Sequence, residues 1–212
     1  MGEELIIISG PSGGGKTAIV EELVRKNSGV FERVVTTTTR KRRKNEDEYI
    51  YLSKEEFERL IEEDAFLEHN KFMDNMYGVL KESIETIMEK NKVPILIVDV
   101  NGYQKVIKHY ESKAIFLIPG TARQQYNQIK QRNKNCNDDE IINRMNISLH
   151  ELKYINLYDY IVENQVLEEA YKEVEQIIYK GTREKDIYCE NELLIEKYKN
   201  SLEKFLMECC LA

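Results

Sequence analysis

Residues Gly10-Pro11-Ser12-Gly13-Gly14-Gly15-Lys16-Thr17 spell G-x-x-x-x-G-K-[ST] directly behind the apolar run Leu5-Ile6-Ile7-Ile8. A buried strand that turns through this pattern into a helix can wrap a chain of phosphates. Glycines remove side chains, so consecutive backbone N–H groups can turn inward onto phosphate oxygens, and a helix from Thr17 adds the positive end of its dipole. Lys16 would then lie across the β- and γ-phosphates, and the Thr17 hydroxyl is placed to ligand Mg²⁺. The plain alternative is a glycine-rich turn at a strand–helix junction. Strand, full motif and helix together favour a nucleoside triphosphate site.

The rest of the chain bounds that reading. Its 212 residues are enough to bury a substantial core in one domain with inserted subregions. Apolar runs of four or five residues are far short of a membrane span, and no signal-peptide pattern opens the chain, so a cytoplasmic protein is expected. Cys136, Cys189, Cys209 and Cys210 show no C-x-x-C spacing, which argues for free thiols over zinc. A net charge of −7 argues against general nucleic-acid binding, so positive charge for polyphosphates must be concentrated locally.

Leu5–Ile8, Ile95–Val98, Ile115–Ile118 and Tyr160–Val162 read as strands buried on both faces, with helical patterns starting near Lys16, Asn101, Thr121 and Leu167. This alternation predicts a parallel sheet covered by helices, with ligands at the carboxyl ends of its strands. Val34–Thr39 is expected as a fifth strand of that sheet. Between Arg40 and Asn91 the texture changes to a small mixed α+β lobe. There Tyr49–Leu52, Ala65–Met73 and Tyr77–Leu80 read as strands, Ser53 with Glu56 as a capping box, and Glu82–Asn91 as a helix. Residues from about Arg132 to Asp139 are polar and suit a lid. In the tail, Ile195, Tyr198, Leu202, Phe205 and Cys209 recur at alternating spacings of three and four. With too few heptads for a coiled coil, that stripe is expected to pack on the parent domain.

Thr36-Thr37-Thr38-Thr39-Arg40-Lys41-Arg42-Arg43-Lys44 carries five consecutive cations after a strand, with Glu46-Asp47-Glu48 following. Such a run is usually a solvated face or a nucleic-acid patch. Arginine forks also capture a phosphate dianion, and Tyr49 can add a hydroxyl. A second phosphate site beside an ATP site implies an acceptor that is itself a phosphate ester.

These residues, together with Phe66-Leu67-Glu68-His69, Tyr77-Gly78, Asp99-Val100-Asn101-Gly102, Arg132, Arg144-Met145 and Tyr158-Asp159-Tyr160 leading to Asn164, resemble the guanylate kinase family over about residues 4–180. The resemblance implies an α/β P-loop kinase core with a five-stranded parallel sheet flanked by helices, a GMP-binding lobe and a lid. The core would be about 4–33 and 93–180, the lobe about 34–92 and the lid about 132–139, with a helical tail at 181–212. It implies the reaction ATP + GMP ⇌ ADP + GDP with Mg²⁺, dGMP being a further candidate acceptor, in a monomer or homodimer. Arg40, Arg43, Tyr49 and Tyr77 match the positions that hold the GMP phosphate, and Thr36 falls where the family often has a serine that bonds the base. Glu68 and Asp99 match acidic residues that read guanine, whose N1–H and N2 amine are donors. At the end of a buried strand, Asp99 could instead orient a water on Mg²⁺, as a Walker-B carboxylate would. Lys16, Arg132 and Arg144 would stabilise the transferring phosphoryl group.

The chain departs from the family at Val79, where serine or threonine usually offers a hydroxyl to guanine O6, and at Ile97, which replaces an acidic residue. The loop between Arg43 and Tyr49 is shorter than usual. The competing class is a guanylate-kinase-like binding module, but such domains generally lack an intact phosphate loop; a third reading, a kinase for another nucleoside monophosphate, draws its support from Val79 alone.

Overall fold

The computed structural model describes residues 4–42, 49–72, 74–132, 136–180 and 187–210. The chain begins with β1 (Leu5–Ser9), α1 (Lys16–Lys26), β2 (Phe31–Arg33), β3 (Thr36–Thr38) and β4 (Tyr49–Tyr51). It continues through α2 (Lys54–Glu62), β5 (Phe66–Phe72), β6 (Asn75–Leu80), α3 (Lys81–Glu89), β7 (Val93–Ile97) and α4 (Val100–Val106). After β8 (Ser112–Pro119) come α5 (Ala122–Arg132), α6 (Asp138–Glu151), a 3₁₀ turn (Leu152–Leu157), β9 (Tyr160–Asn164), α7 (Leu167–Lys180) and α8 (Ile187–Cys210).

Five strands form a parallel sheet in the order β2-β7-β1-β8-β9, and four form a second sheet in the order β4-β3-β6-β5. The apolar runs explain the first sheet: β1 is buried at every position, as is β8 from Ala114 onward. Runs buried on both faces are what helix-covered parallel strands require. Two compact units divide the chain, one of Met1–Ile7 with Val24–Ser112 and one of Ile8–Leu23 with Lys113–Ala212.

The expected fifth core strand at Val34–Thr39 is corrected. Phe31–Arg33 takes that place, pairing in parallel with Val93–Ile95. As the edge strand it carries charge, and Glu32 bonds Lys90 and Lys92 at 2.7 and 3.1 Å, which blunts an edge and hides the strand from an apolar pattern. The threonines belong instead to the lobe sheet, where β3 lies between β4 and β6. Two of their hydroxyls are used there, Thr37 donating to Gly78 O and Thr38 to Met76 O, each at 2.9 Å.

In the lobe, α2 opens on the expected capping box, with Ser53 and Glu56 each bonding the other's backbone N–H. The pairing of β5 with β6 contains a register shift: Phe66 stands opposite Leu80 and Glu68 opposite Val79. Two residues on β5 thus advance against one on β6, leaving Leu67 as the extra residue of a bulge. Phe66 stacks on Phe57 of α2, with ring centroids 4.4 Å apart. Gly78 is obliged to be glycine here, because a Cβ would lie 2.6 Å from the Phe66 ring.

The polar stretch expected as a lid is helical at both ends. Arg132 is the last residue of α5, and Asp138 and Asp139 form the first turn of α6 behind the N-cap Asn137, whose side chain accepts from Glu140 N–H at 2.8 Å. Acidic residues favour a helix N-terminus. Residues 133–135 lie outside the described residues.

Candidate active site

The phosphate loop lies in the unit of Ile8–Leu23 with Lys113–Ala212. Gly10, Gly13 and Gly15 have φ of 132°, 78° and 83°, a backbone that L side chains rarely adopt. Pro11 O accepts from Gly14 N–H at 3.0 Å, closing the turn, and Lys16 Nζ bonds the carbonyls of Gly10 and Pro11. Thr17 is in the first turn of α1, half-buried.

Two buried amides hold the loop's carbonyls. Gln125 Nε2 donates to Ser12 O at 2.8 Å, and Asn164 Nδ2 donates to Gly14 O at 3.0 Å. In a trans peptide the C=O and the following N–H point opposite ways, so these bonds turn the Gly13 and Gly15 N–H groups away from both amides. Asn164 sits so close that a Cβ on Gly15 would lie 2.0 Å from its Nδ2. Below the loop, the buried Tyr158 hydroxyl donates to Ser9 Oγ at 2.9 Å.

The other group of residues lies in the lobe sheet. Strand residues alternate faces, and directly paired residues share one. Thr36 pairs with Tyr49, Thr38 with Tyr77, Asn70 with Tyr77, and Glu68 with Val79. One face therefore carries Thr36, Tyr49, Tyr77, Val79 and Glu68. The Tyr49 and Tyr77 rings meet edge-on at 6.1 Å, and the Arg40 guanidinium lies 5.4 Å from the Tyr49 centroid. Three of the four residues expected around an acceptor phosphate are thus together. The fourth, Arg43, lies outside the described residues.

Glu68 is 5% exposed, and its Oε2 has no hydrogen-bond partner among the described residues. Burial, reinforced by the charge of Asp99 and opposed by Lys105, pushes its carboxyl up to about 7. A carboxylate oxygen kept dry and unbonded is costly unless something donates to it. Gly102 makes room for it, since a Cβ there would lie 3.3 Å from Glu68 Cδ. Lys105 Nζ donates to His69 O at 2.6 Å, and burial together with Lys105 holds the His69 imidazole below its usual range.

Asp99 is exposed and already engaged. It is the N-cap of α4, accepting from Gly102 N–H at 2.8 Å, and it accepts from Asn70 Nδ2 at 3.3 Å. Ile97 closes β7. Arg132 is exposed at the end of α5. Arg144, mid-way along α6, bonds Glu140 at 2.8 Å, while its buried Nε has no hydrogen-bond partner among the described residues.

Sequence reasoning did not single out Gly102, Asn70, Lys105 or Gln125 for these roles. Gly102 had a signal in Asp99-Val100-Asn101-Gly102, the pattern of an N-cap followed by a glycine in the first turn. Gln125 had none, because it looks like one more polar residue on a helix.

The guanylate kinase family model matches residues 2–181. Guanylate kinase of Caldanaerobacter subterraneus subsp. tengcongensis is 36% identical over 191 residues, covering 87% of this chain and 92% of its own length. That of Clostridioides difficile is 35% identical over 202 residues, covering 93% and 97%. A crystal structure of guanylate kinase from Anaplasma phagocytophilum shares the fold, with a TM-score of 0.65 over 92% of this chain and 94% of that one at 22% identity. Phosphate loop, lobe sheet and near-full-length similarity agree: the chain belongs to the guanylate kinase family.

Proposed function

We propose that this chain transfers the γ-phosphoryl group of ATP to the phosphate of GMP, giving ADP and GDP. The observation that carries the acceptor assignment is Glu68, a buried carboxylate on the face that also holds Tyr49 and Tyr77, with one oxygen that has no hydrogen-bond partner among the described residues. Guanine offers two adjacent donors, N1–H and the N2 amine, where adenine has an acceptor at N1. A buried acceptor left unpaired by the wrong base gives strong discrimination.

In this reading Glu68 holds the guanine donors and Thr36 offers its hydroxyl to the base, with Asp99 assisting at N2 from its place as the α4 N-cap. Arg40, Arg43, Tyr49 and Tyr77 fix the GMP phosphate, a dianion suited to guanidinium forks and phenol hydroxyls. None of these assignments reads the ribose 2′-OH, so dGMP is included as an acceptor.

At the phosphate loop, Gly10 to Gly15 would direct backbone N–H groups to ATP phosphate oxygens. The left-handed glycines and the first turn of α1 fit that group, since a Cβ would collide at Gly10 and Gly15. Thr17 would hold Mg²⁺, a hard cation suited to hydroxyl, phosphate and water oxygens, which when bound neutralises charge between the β- and γ-phosphates. Lys16, Arg132 and Arg144 stabilise the charge spread over the transferring group. The acceptor is already a phosphate oxygen, so positioning and electrostatics suffice without a general base. The free thiol Cys209 suits action in a reducing cytoplasm.

The test is an ADP-release assay with ATP, Mg²⁺ and each of GMP, dGMP, IMP, AMP, CMP and UMP. GMP is expected to give the highest kcat/KM. Faster turnover of AMP, CMP or UMP would overturn the acceptor assignment.

A further inference from the structure

The phosphate loop is held from behind by a polar network that ends on a helix beyond the matched family region, which stops at residue 181. Gln125 is fully buried in α5. Its Nε2 donates to Ser12 O and to Ser148 Oγ, both at 2.8 Å, and its Oε1 accepts from the Tyr198 hydroxyl of α8 at 2.7 Å. Ser148 and Tyr198 are 0% and 1% exposed. One turn further along α8, Ser201 Oγ accepts the N–H of Ala122, the first residue of α5. That N–H is among the donors a helix start leaves without an internal partner.

We propose that α8 is a positioning element of the ATP phosphate site, with Tyr198 fixing the Gln125 amide and Gln125 fixing the plane of the Ser12–Gly13 peptide. The inference rests on the reading of this loop as the ATP site. A primary amide offers two donors and one acceptor atom. Ser148 gives its own hydrogen to Arg144 O at 3.1 Å, so both Ser148 Oγ and Ser12 O face Gln125 as acceptors. The remaining need, a donor for Oε1, is met by Tyr198. Burial and the charge of Glu151 push the Tyr198 phenol up, so it keeps its proton. The Ser12–Gly13 peptide is bordered by a glycine at φ 78°, and a glycine-flanked peptide rotates with little steric resistance. An outside restraint therefore decides where its N–H points.

Tyr198→Phe keeps the ring and removes the hydroxyl. In the full-length protein it is expected to raise the Kd and KM for ATP with Mg²⁺ about three- to tenfold, leaving the KM for GMP within a factor of about two. The double variant Gln125→Leu/Tyr198→Phe removes both partners of the Tyr198–Gln125 bond, so no buried amide or hydroxyl of that pair is left unpaired, while Ser12 O loses its donor. It is expected to unfold at a Tm no lower than that of Gln125→Leu alone yet remain at least about threefold weaker for ATP than the parent. Recovery of parental ATP affinity along with stability would overturn the proposal, as would equal effects of Tyr198→Phe on both substrates. Lys16→Ala separates the two readings. If it loses ATP affinity while Tyr198→Phe loses none, the α8 inference alone falls. If the unsubstituted protein binds no ATP, the nucleotide reading falls and takes the inference with it.

Discussion

Val79 and Glu68 stand directly opposite each other in the antiparallel pairing of β6 with β5, and both are buried. The carboxyl thus has a saturated hydrocarbon as its cross-strand neighbour, where a threonine would have offered a hydroxyl. Burial, with the charge of Asp99, holds the Glu68 carboxyl up at about 7.

Stability should therefore depend on pH through Glu68. A carboxyl raised from 4.5 to about 7 on folding holds its proton more tightly in the folded chain. Its contribution is complete below 4.5 and is lost as pH rises through 7. Glu68→Gln stays neutral, so it should exceed the parent in stability at pH 8 by up to roughly 3 kcal/mol and match it near pH 4.5. Urea unfolding at the two values checks this, and an equal difference at both would contradict it.

Val79→Thr is nearly isosteric and places a hydroxyl opposite the carboxyl. On the proposed assignment it should lower KM for GMP by about two- to tenfold with little change in kcat, as uniform binding energy does. Steady-state kinetics with GMP varied at saturating ATP measure it. An unchanged KM would remove position 79 from the base site.

Arg40 and Lys41 are chain neighbours with different surroundings. Arg40 lies over the Tyr49 ring, while Lys41 is exposed. Arg40→Ala should weaken GMP binding by about 2–4 kcal/mol, as for loss of a charge-assisted phosphate contact. Lys41→Ala should cost less than about 0.5 kcal/mol. Calorimetric titration with GMP compares them, and equal small losses would make the cluster a diffuse field.

Gly15→Ala drives a methyl to 2.0 Å from Asn164 Nδ2 at a backbone φ of 83°. The expected outcome is loss of the Asn164 bond to Gly14 O, about 1–3 kcal/mol of stability, and a fall in kcat/KM for ATP of at least about tenfold. Thermal unfolding and ATP kinetics on the same sample test it.

Features set by local chemistry were legible from the residues. The glycine loop, the β1, β8 and β9 runs and the Ser53–Glu56 capping box each follow from contacts within a few positions along the chain. The tail stripe was legible as a buried face, and Tyr198, Leu202 and Phe205 are buried. Its polar use was not, because the Tyr198 hydroxyl finds a partner 73 positions away. The threonine strand was assigned to the wrong sheet since β-branched residues fit either one, and only long-range pairing decides. The edge strand Phe31–Arg33 escaped because its charges answer solvent and lysines rather than a core.

The bulge at Leu67 gives the lobe's side chains something like a reading frame. Alternation along β5 has a period of two, and the extra residue is where the frame slips. It lets Phe66 lie against Phe57 on one side while Glu68, two positions on, faces the other. Removing Leu67 alone would leave every chemically active residue in place by identity. Yet it would force a choice between turning Phe66 off the aromatic stack and turning Glu68 off the Val79 side. The acidic group is held where it is by a count of residues, so a change in strand length would disable it more surely than many substitutions beside it.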